Sequence, residues 1–124
     1  MTTINFPRFV RSLRHALHGL VHAFQNENNF RIHVIIGAVV TIAAIAARIP
    51  RTEAIDLVLV IASILILELV NTIVERFADL LEPRIHPYVH IIKDLMAASV
   101  VVAVVAAIVV GVLIFWPVMM SIFG

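Results

Sequence analysis

The feature that most constrains this chain is a run without Asp, Glu, Lys or Arg that extends from Leu95 to Gly124. Two more such runs precede it, His33 to Ala47 and Leu57 to Leu67. About 20 apolar residues of α-helix cross the hydrocarbon of a bilayer, so runs of this length predict membrane spans. Lipid offers the backbone no hydrogen-bond partners, which restricts spans of this kind to helices. The composition agrees: 62% of the 124 residues are apolar and 14% are charged, against about 25% charged in a soluble domain. The length allows one domain.

The boundaries follow from the breakers. The first span is expected at residues 33–49, ended by Pro50; the second at 54–74, with a helical extension into water through Leu81; and the third at 95–116, closed by Trp116 and Pro117. Pro83 and Pro87 mark residues 82–90 as a connector. A lone Trp at the end of a span suits the interfacial aromatic belt. Within the N-terminal segment 1–31, residues 6–31 read as an amphipathic helix. Phe6, Phe9, Leu13, Leu17, Leu20 and Phe24 recur at helical spacing, and Arg8, Arg11, Arg14, His15, His18 and His22 occupy the other side. Such a helix lies in the membrane interface. The expected fold is therefore an all-α membrane protein, one interfacial helix followed by three transmembrane helices.

Arg8, Arg11, Arg14 and Arg31 precede the first span, and Arg76, Arg84 and Lys93 flank the second connector; three spans place both groups on one side. The other side holds Arg48 and Arg51. The positive-inside rule puts the N-terminus and residues 75–94 in the cytosol and the C-terminus outside. Arg8, Arg11 and Arg14 interrupt the early apolar residues, so no cleavable signal sequence is expected. The near-neutral net charge of +1 argues against nucleic acid as a partner. Cysteine is absent, which excludes disulfides, thiol catalysis and Cys-based zinc sites. Ala103, Ala107 and Gly111, and likewise Ala43 and Ala47, form small-residue stripes suited either to close helix packing or simply to lipid.

The stretch that carries chemistry is ELVNTIVERFAD, residues 68–79. Glu68, Asn71, Glu75 and Asp79 fall at i, i+3, i+7 and i+11, a narrow stripe on one helical face. An acid within a span costs about 2.5–3.5 kcal/mol at mid-bilayer, so its presence there points to function, the alternative being a hydrogen bond to a neighbouring helix. Glu68 lies about 21 Å along the helix axis from Ala54, beyond the midplane, where a carboxylate can meet a lipid headgroup and a water-soluble cosubstrate together. Glu27, in NENNFRIH (residues 26–33), and the Lys93–Asp94 pair converge on the same membrane face. Carboxylates, an amide and a lysine are what magnesium-assisted phosphoryl transfer requires. Each charge alone reads as a solvated or snorkelling group, and only the shared face makes the set suggestive. The four glycines, at 19, 37, 111 and 124, leave no Walker A or GxGxxG loop. His15, His18 and His22, or His86 and His90, have metal-ligand spacing but lack a dictated third ligand.

NENNFRIH, ELVNTIVERFAD and HPYVHIIKDLMAAS, in this order and spacing, resemble the small bacterial membrane diacylglycerol kinases and their undecaprenol kinase relatives. The pattern E-x-x-N-T-x-x-E-x-x-x-D is met in full, and KD-x-x-AA is met by Lys93, Asp94, Ala97 and Ala98. The resemblance covers nearly the whole chain. It implies an ATP- and Mg²⁺-dependent kinase of a membrane lipid hydroxyl, in the bacterial inner membrane, working as a homotrimer with sites between subunits. By that resemblance Glu68 is the general base and Asn71 orients groups beside it. Glu27 and Glu75 hold Mg²⁺ with the ATP phosphates, Lys93 contacts those phosphates, and Asp79 and Asp94 support the nucleotide and the lysine. Ile73 and Ser99 depart from the alanines common in the family. His33 stands at a position that is acidic in the Gram-negative diacylglycerol branch, and NFRIH looks more like the undecaprenol branch. An undecaprenol kinase is therefore expected first and a diacylglycerol kinase second. A small transporter or proton-conducting subunit with Glu68 as its titrating group, or a purely structural membrane protein, are the readings from other classes.

Overall fold

A computed structural model describes residues 3–81 and 86–124 and consists of four helices: α1 (Phe6–Asn26), α2 (Asn28–Ala47), α3 (Arg51–Leu81) and α4 (His86–Phe123). Of these, α2, α3 and α4 are long and apolar enough to cross a membrane. Most of their large side chains face outward, Val102, Leu113 and Ile45 among them. Outward apolar faces on every span call for lipid or another apolar surface around them. Residues 82–85, including the expected break at Pro83 and the positive charge of Arg84, lie outside the described residues, as does the side chain of His86.

α1 starts where Asn5 accepts a hydrogen bond from the Arg8 backbone N–H at 3.1 Å, with Pro7 in the first turn. Asx caps and first-turn prolines both favour a helix start. The amphipathic helix ends at Asn26, earlier than residue 31. Between the two helices the single residue Glu27 has extended backbone (φ −107, ψ 107), and α2 begins at once with Asn28, ahead of the expected start at residue 33. Arg31 explains the break. Its guanidinium reaches back to donate to the carbonyls of Phe24 (2.8 Å) and Gln25 (2.6 Å), and it stands over the Phe24 ring. The open carbonyls at the end of one helix are thus capped by a side chain from the first turn of the next.

α2 closes on Arg48 in the left-handed region (φ 51, ψ 48), whose N–H donates to Ile45 at 3.1 Å. Pro50 follows, and α3 runs on without interruption to Leu81. α4 begins at His86, inside the expected connector, because Pro87 falls in its first turn, where its missing N–H breaks no helical bond. At the far end α4 continues past the expected stop at residue 116 and carries Pro117 within it.

α3 packs most extensively on α4, and also on α2. Ala44, Leu57 and Ile114 form a buried cluster from all three spans, joined by Val40, Ile49, Val110 and Phe115. α2 and α3 come close at Gly37, where an added β-carbon would lie 3.0 Å from Ile61 Cγ2. At this contact a small residue of α2 admits the neighbouring helix. Gly111 is different: a β-carbon there would meet nothing within 4 Å.

Candidate active site

The polar groups gather at one end of the bundle, beside the α1–α2 elbow. Glu68 is the anchor. It is 2% exposed, the one buried charged side chain among the described residues. Its Oε1 lies 2.9 Å from Nδ1 of His33 on α2, a close polar contact that is not aligned as a regular hydrogen bond. A buried carboxylate needs a partner of this kind, since an unpaired charge in a low-dielectric setting is heavily penalised. Thr72, one turn on, donates its hydroxyl to the Glu68 carbonyl at 3.1 Å.

One and two turns further along α3, Asn71 Nδ2 donates to Glu75 Oε1 at 3.1 Å, while Asn71 Oδ1 is buried without a hydrogen-bond partner. Glu68, Asn71 and Glu75 line a cavity of about 370 Å³ together with Asn29 and His33 of α2 and Ala97 and Val101 of α4. Glu27, at the elbow, is held by Arg76 of α3, Nη2 to Oε1 at 2.6 Å. Lys93 of α4 meets Asp79 of α3 at 2.7 Å. Asp94 is exposed, and neither it nor Glu27, Asp79 or Lys93 borders the cavity.

The stripe read from the sequence therefore divides in two. Glu68, Asn71 and Glu75 face one cavity, and Asp79 turns to the lysine of the neighbouring helix. Among the described residues no three His, Asp or Glu side chains converge to form a complete metal cage. The donor set nevertheless fits Mg²⁺, which takes one or two carboxylates and fills its remaining positions with phosphate oxygens and water. Glu27, Glu75 and the orphaned amide oxygen of Asn71 are all hard oxygen donors.

Three participants were not assigned from sequence. From sequence His33 reads only as a marker of one branch, Arg76 as a topogenic charge, and Asn29 as part of NENNFRIH without a role of its own. Asn29 and His33 are spaced i, i+4 and so share a face of α2, a signal that was available. The partnership of Arg76 with Glu27 spans far too much sequence to be read from spacing. His33 also borders a second, larger space. An apolar groove of about 570 Å³ runs between α2, α3 and α4 from His33 past Ile61 and Ile108 to Trp116 and Met119.

A family model described as prokaryotic diacylglycerol kinase matches residues 14–115, from the middle of α1 through most of α4. The undecaprenol kinase of Bacillus subtilis is 33% identical over 110 residues, covering 89% of each chain. The diacylglycerol kinase of Synechocystis sp. is 34% identical over 117 residues, covering 94% of this chain and 67% of that one. Matches of this extent take in the elbow, the acidic stripe of α3 and the Lys93–Asp94 pair at once, and the chain belongs to the prokaryotic diacylglycerol kinase family.

Proposed function

We propose that this protein transfers the γ-phosphoryl group of ATP to the hydroxyl of undecaprenol or a similar polyprenol at the inner face of the bacterial membrane. Family membership makes it a lipid kinase, a phosphotransferase with an alcohol acceptor. The polyprenol reading is supported by the B. subtilis relative, which matches along 89% of its own length, and by the apolar groove that ends at His33. Diacylglycerol is the alternative acceptor, favoured by the name of the Synechocystis relative.

The observation that carries the reading is Glu68, a carboxylate buried inside a membrane helix yet bordering a cavity that also holds Asn71 and Glu75. In the reaction Glu68 accepts the proton of the lipid hydroxyl as the oxygen bonds to the γ-phosphorus. The bond from that phosphorus to the bridging oxygen breaks, and ADP leaves. Asn71 fixes the geometry beside the base through its bond to Glu75. Glu27 and Glu75 would hold Mg²⁺, which supplies charge neutralisation on the phosphates when bound. Lys93 adds a positive charge towards the phosphates, and Asp79 and Asp94 orient it and the nucleotide. Phosphoryl transfer asks mainly for this kind of positioning and charge compensation.

Positive-inside charge bias supports a cytosolic N-terminus and elbow, the side on which ATP is found. A homotrimer is part of the reading, because three spans leave the polar cavity partly open and a neighbouring copy would close it against lipid. The test is reconstitution of the purified protein with ATP, Mg²⁺ and, separately, undecaprenol and diacylglycerol, following phosphate transfer. Faster turnover of undecaprenol supports the reading, preference for diacylglycerol reverses the acceptor, and transfer to neither lipid by a folded preparation overturns it. An ion conductance in liposomes without ATP would instead favour the transporter alternative.

A further inference from the structure

We propose that His33 is a positioning residue of the phosphotransfer site, holding the Glu68 carboxylate aimed at the place where an acceptor hydroxyl arrives from the groove. The inference rests on the lipid kinase reading and adds a residue to it.

Two observations carry it. The first is the contact between Nδ1 and Oε1 at 2.9 Å, made by the one buried charged side chain among the described residues and a ring from another helix. No other described side chain lies within ion-pair distance of Glu68. A polar side chain 2% exposed inside a membrane helix is costly unless a nearby group compensates for lost hydration. Without His33 the carboxylate would lose its one side-chain partner and the fixed direction that partner gives it. The second observation is placement. His33 borders both the polar cavity and the apolar groove. The rest of the groove lining is apolar but for the indole of Trp116 at the opposite end, so a long-chain alcohol lying in it would bring its hydroxyl to the His33 end. There the ring separates hydrocarbon from carboxylate and fixes the direction from which Glu68 is approached.

Thr72 and Asn71 do not substitute for it. The Thr72 hydroxyl donates to the Glu68 backbone carbonyl, and Asn71 donates to Glu75. Fixing the orientation of a reacting side chain through a partner on a second element is a common division of labour, with losses of about 10–100-fold when a comparable orienting group around a metal ligand is removed.

The test uses the full chain in mixed micelles with undecaprenol, ATP and Mg²⁺. Initial rates are measured against both substrates for the wild type, His33→Ala and His33→Gln, with thermal unfolding followed by circular dichroism. His33→Ala is expected to lower kcat at least tenfold while KM for ATP stays within about twofold. Added imidazole, or the Gln side chain with its amide donor at similar reach, restores part of the rate. His33→Gln is measured alongside so that a poorly folded alanine variant does not decide the matter. A kcat equal to the wild type's in His33→Ala overturns the proposal. So does a loss confined to KM for ATP, or a loss that neither imidazole nor glutamine relieves, which marks a role in helix packing only. A wild-type chain inactive on every lipid alcohol is a different result, and it removes the kinase reading itself.

Discussion

Arg76 binds Glu27 across 2.6 Å, so the third helix grips the single residue at which the chain turns from α1 into α2. The arginine side chain is 63% exposed and the glutamate 19%. Exposed ion pairs contribute less than about 1 kcal/mol, and the pair should matter for the site more than for stability. Arg76→Ala is expected to lower the thermal midpoint only slightly. It should also reduce the Mg²⁺ concentration needed for half-maximal activity, because Glu27 loses a competing cation. A Mg²⁺ titration of initial rates checks this, and a higher requirement in the variant would show that Arg76 assists rather than competes.

Glu68→Gln preserves volume and removes the basic oxygen. With Glu68 as general base, kcat should fall by about 10²–10⁴-fold while the helical circular dichroism spectrum is unchanged. Activity close to that of the wild type would take Glu68 out of the chemistry.

The cap supplied by Arg31 can be tested by shape as well as charge. Arg31→Ala removes two charge-assisted hydrogen bonds to the end of α1 and should destabilise the protein by about 1–3 kcal/mol. Arg31→Lys keeps the charge but loses the fork that serves two carbonyls, and should recover only part of the loss. Denaturant unfolding in detergent compares the three. Equal stability of the alanine variant and the wild type would leave the elbow without its explanation.

Arg48 occupies the left-handed region in which a residue with a β-carbon is strained by about 1–2 kcal/mol. Arg48→Gly should raise stability by about 0.5–1 kcal/mol, since glycine adopts this conformation freely although it loses more entropy on folding. Arg48→Val should lower stability. Thermal unfolding of the pair decides, and a lower midpoint for the glycine variant would contradict the account.

The three spans were legible in the sequence because lipid leaves a coarse signature, the absence of charge over a helix-length run. Their ends were less so. Pro87 and Pro117 look like breakers in the sequence, yet one sits in a first turn and the other is carried inside α4. Proline excludes a backbone donor, and whether that ends a helix depends on which carbonyl is left waiting. In the site, the spacing of Glu68, Asn71 and Glu75 was enough to place them on one face, because it lies within a single helix. The pairings Glu27–Arg76, His33–Glu68 and Asp79–Lys93 join different helices, and nothing in their spacing encodes them. Asp79 illustrates the limit: it shares the stripe, but a lysine on α4 draws it away from the cavity.

The joint between α1 and α2 is one residue long, which leaves the chain no slack at that point. If α1 rides on the bilayer surface, any tilt or lift of that surface reaches Glu27 directly, with no loop to absorb it. The depth at which the first helix floats would then set where the elbow carboxylate stands relative to Glu75, making the state of the membrane a mechanical input to the polar end of the bundle.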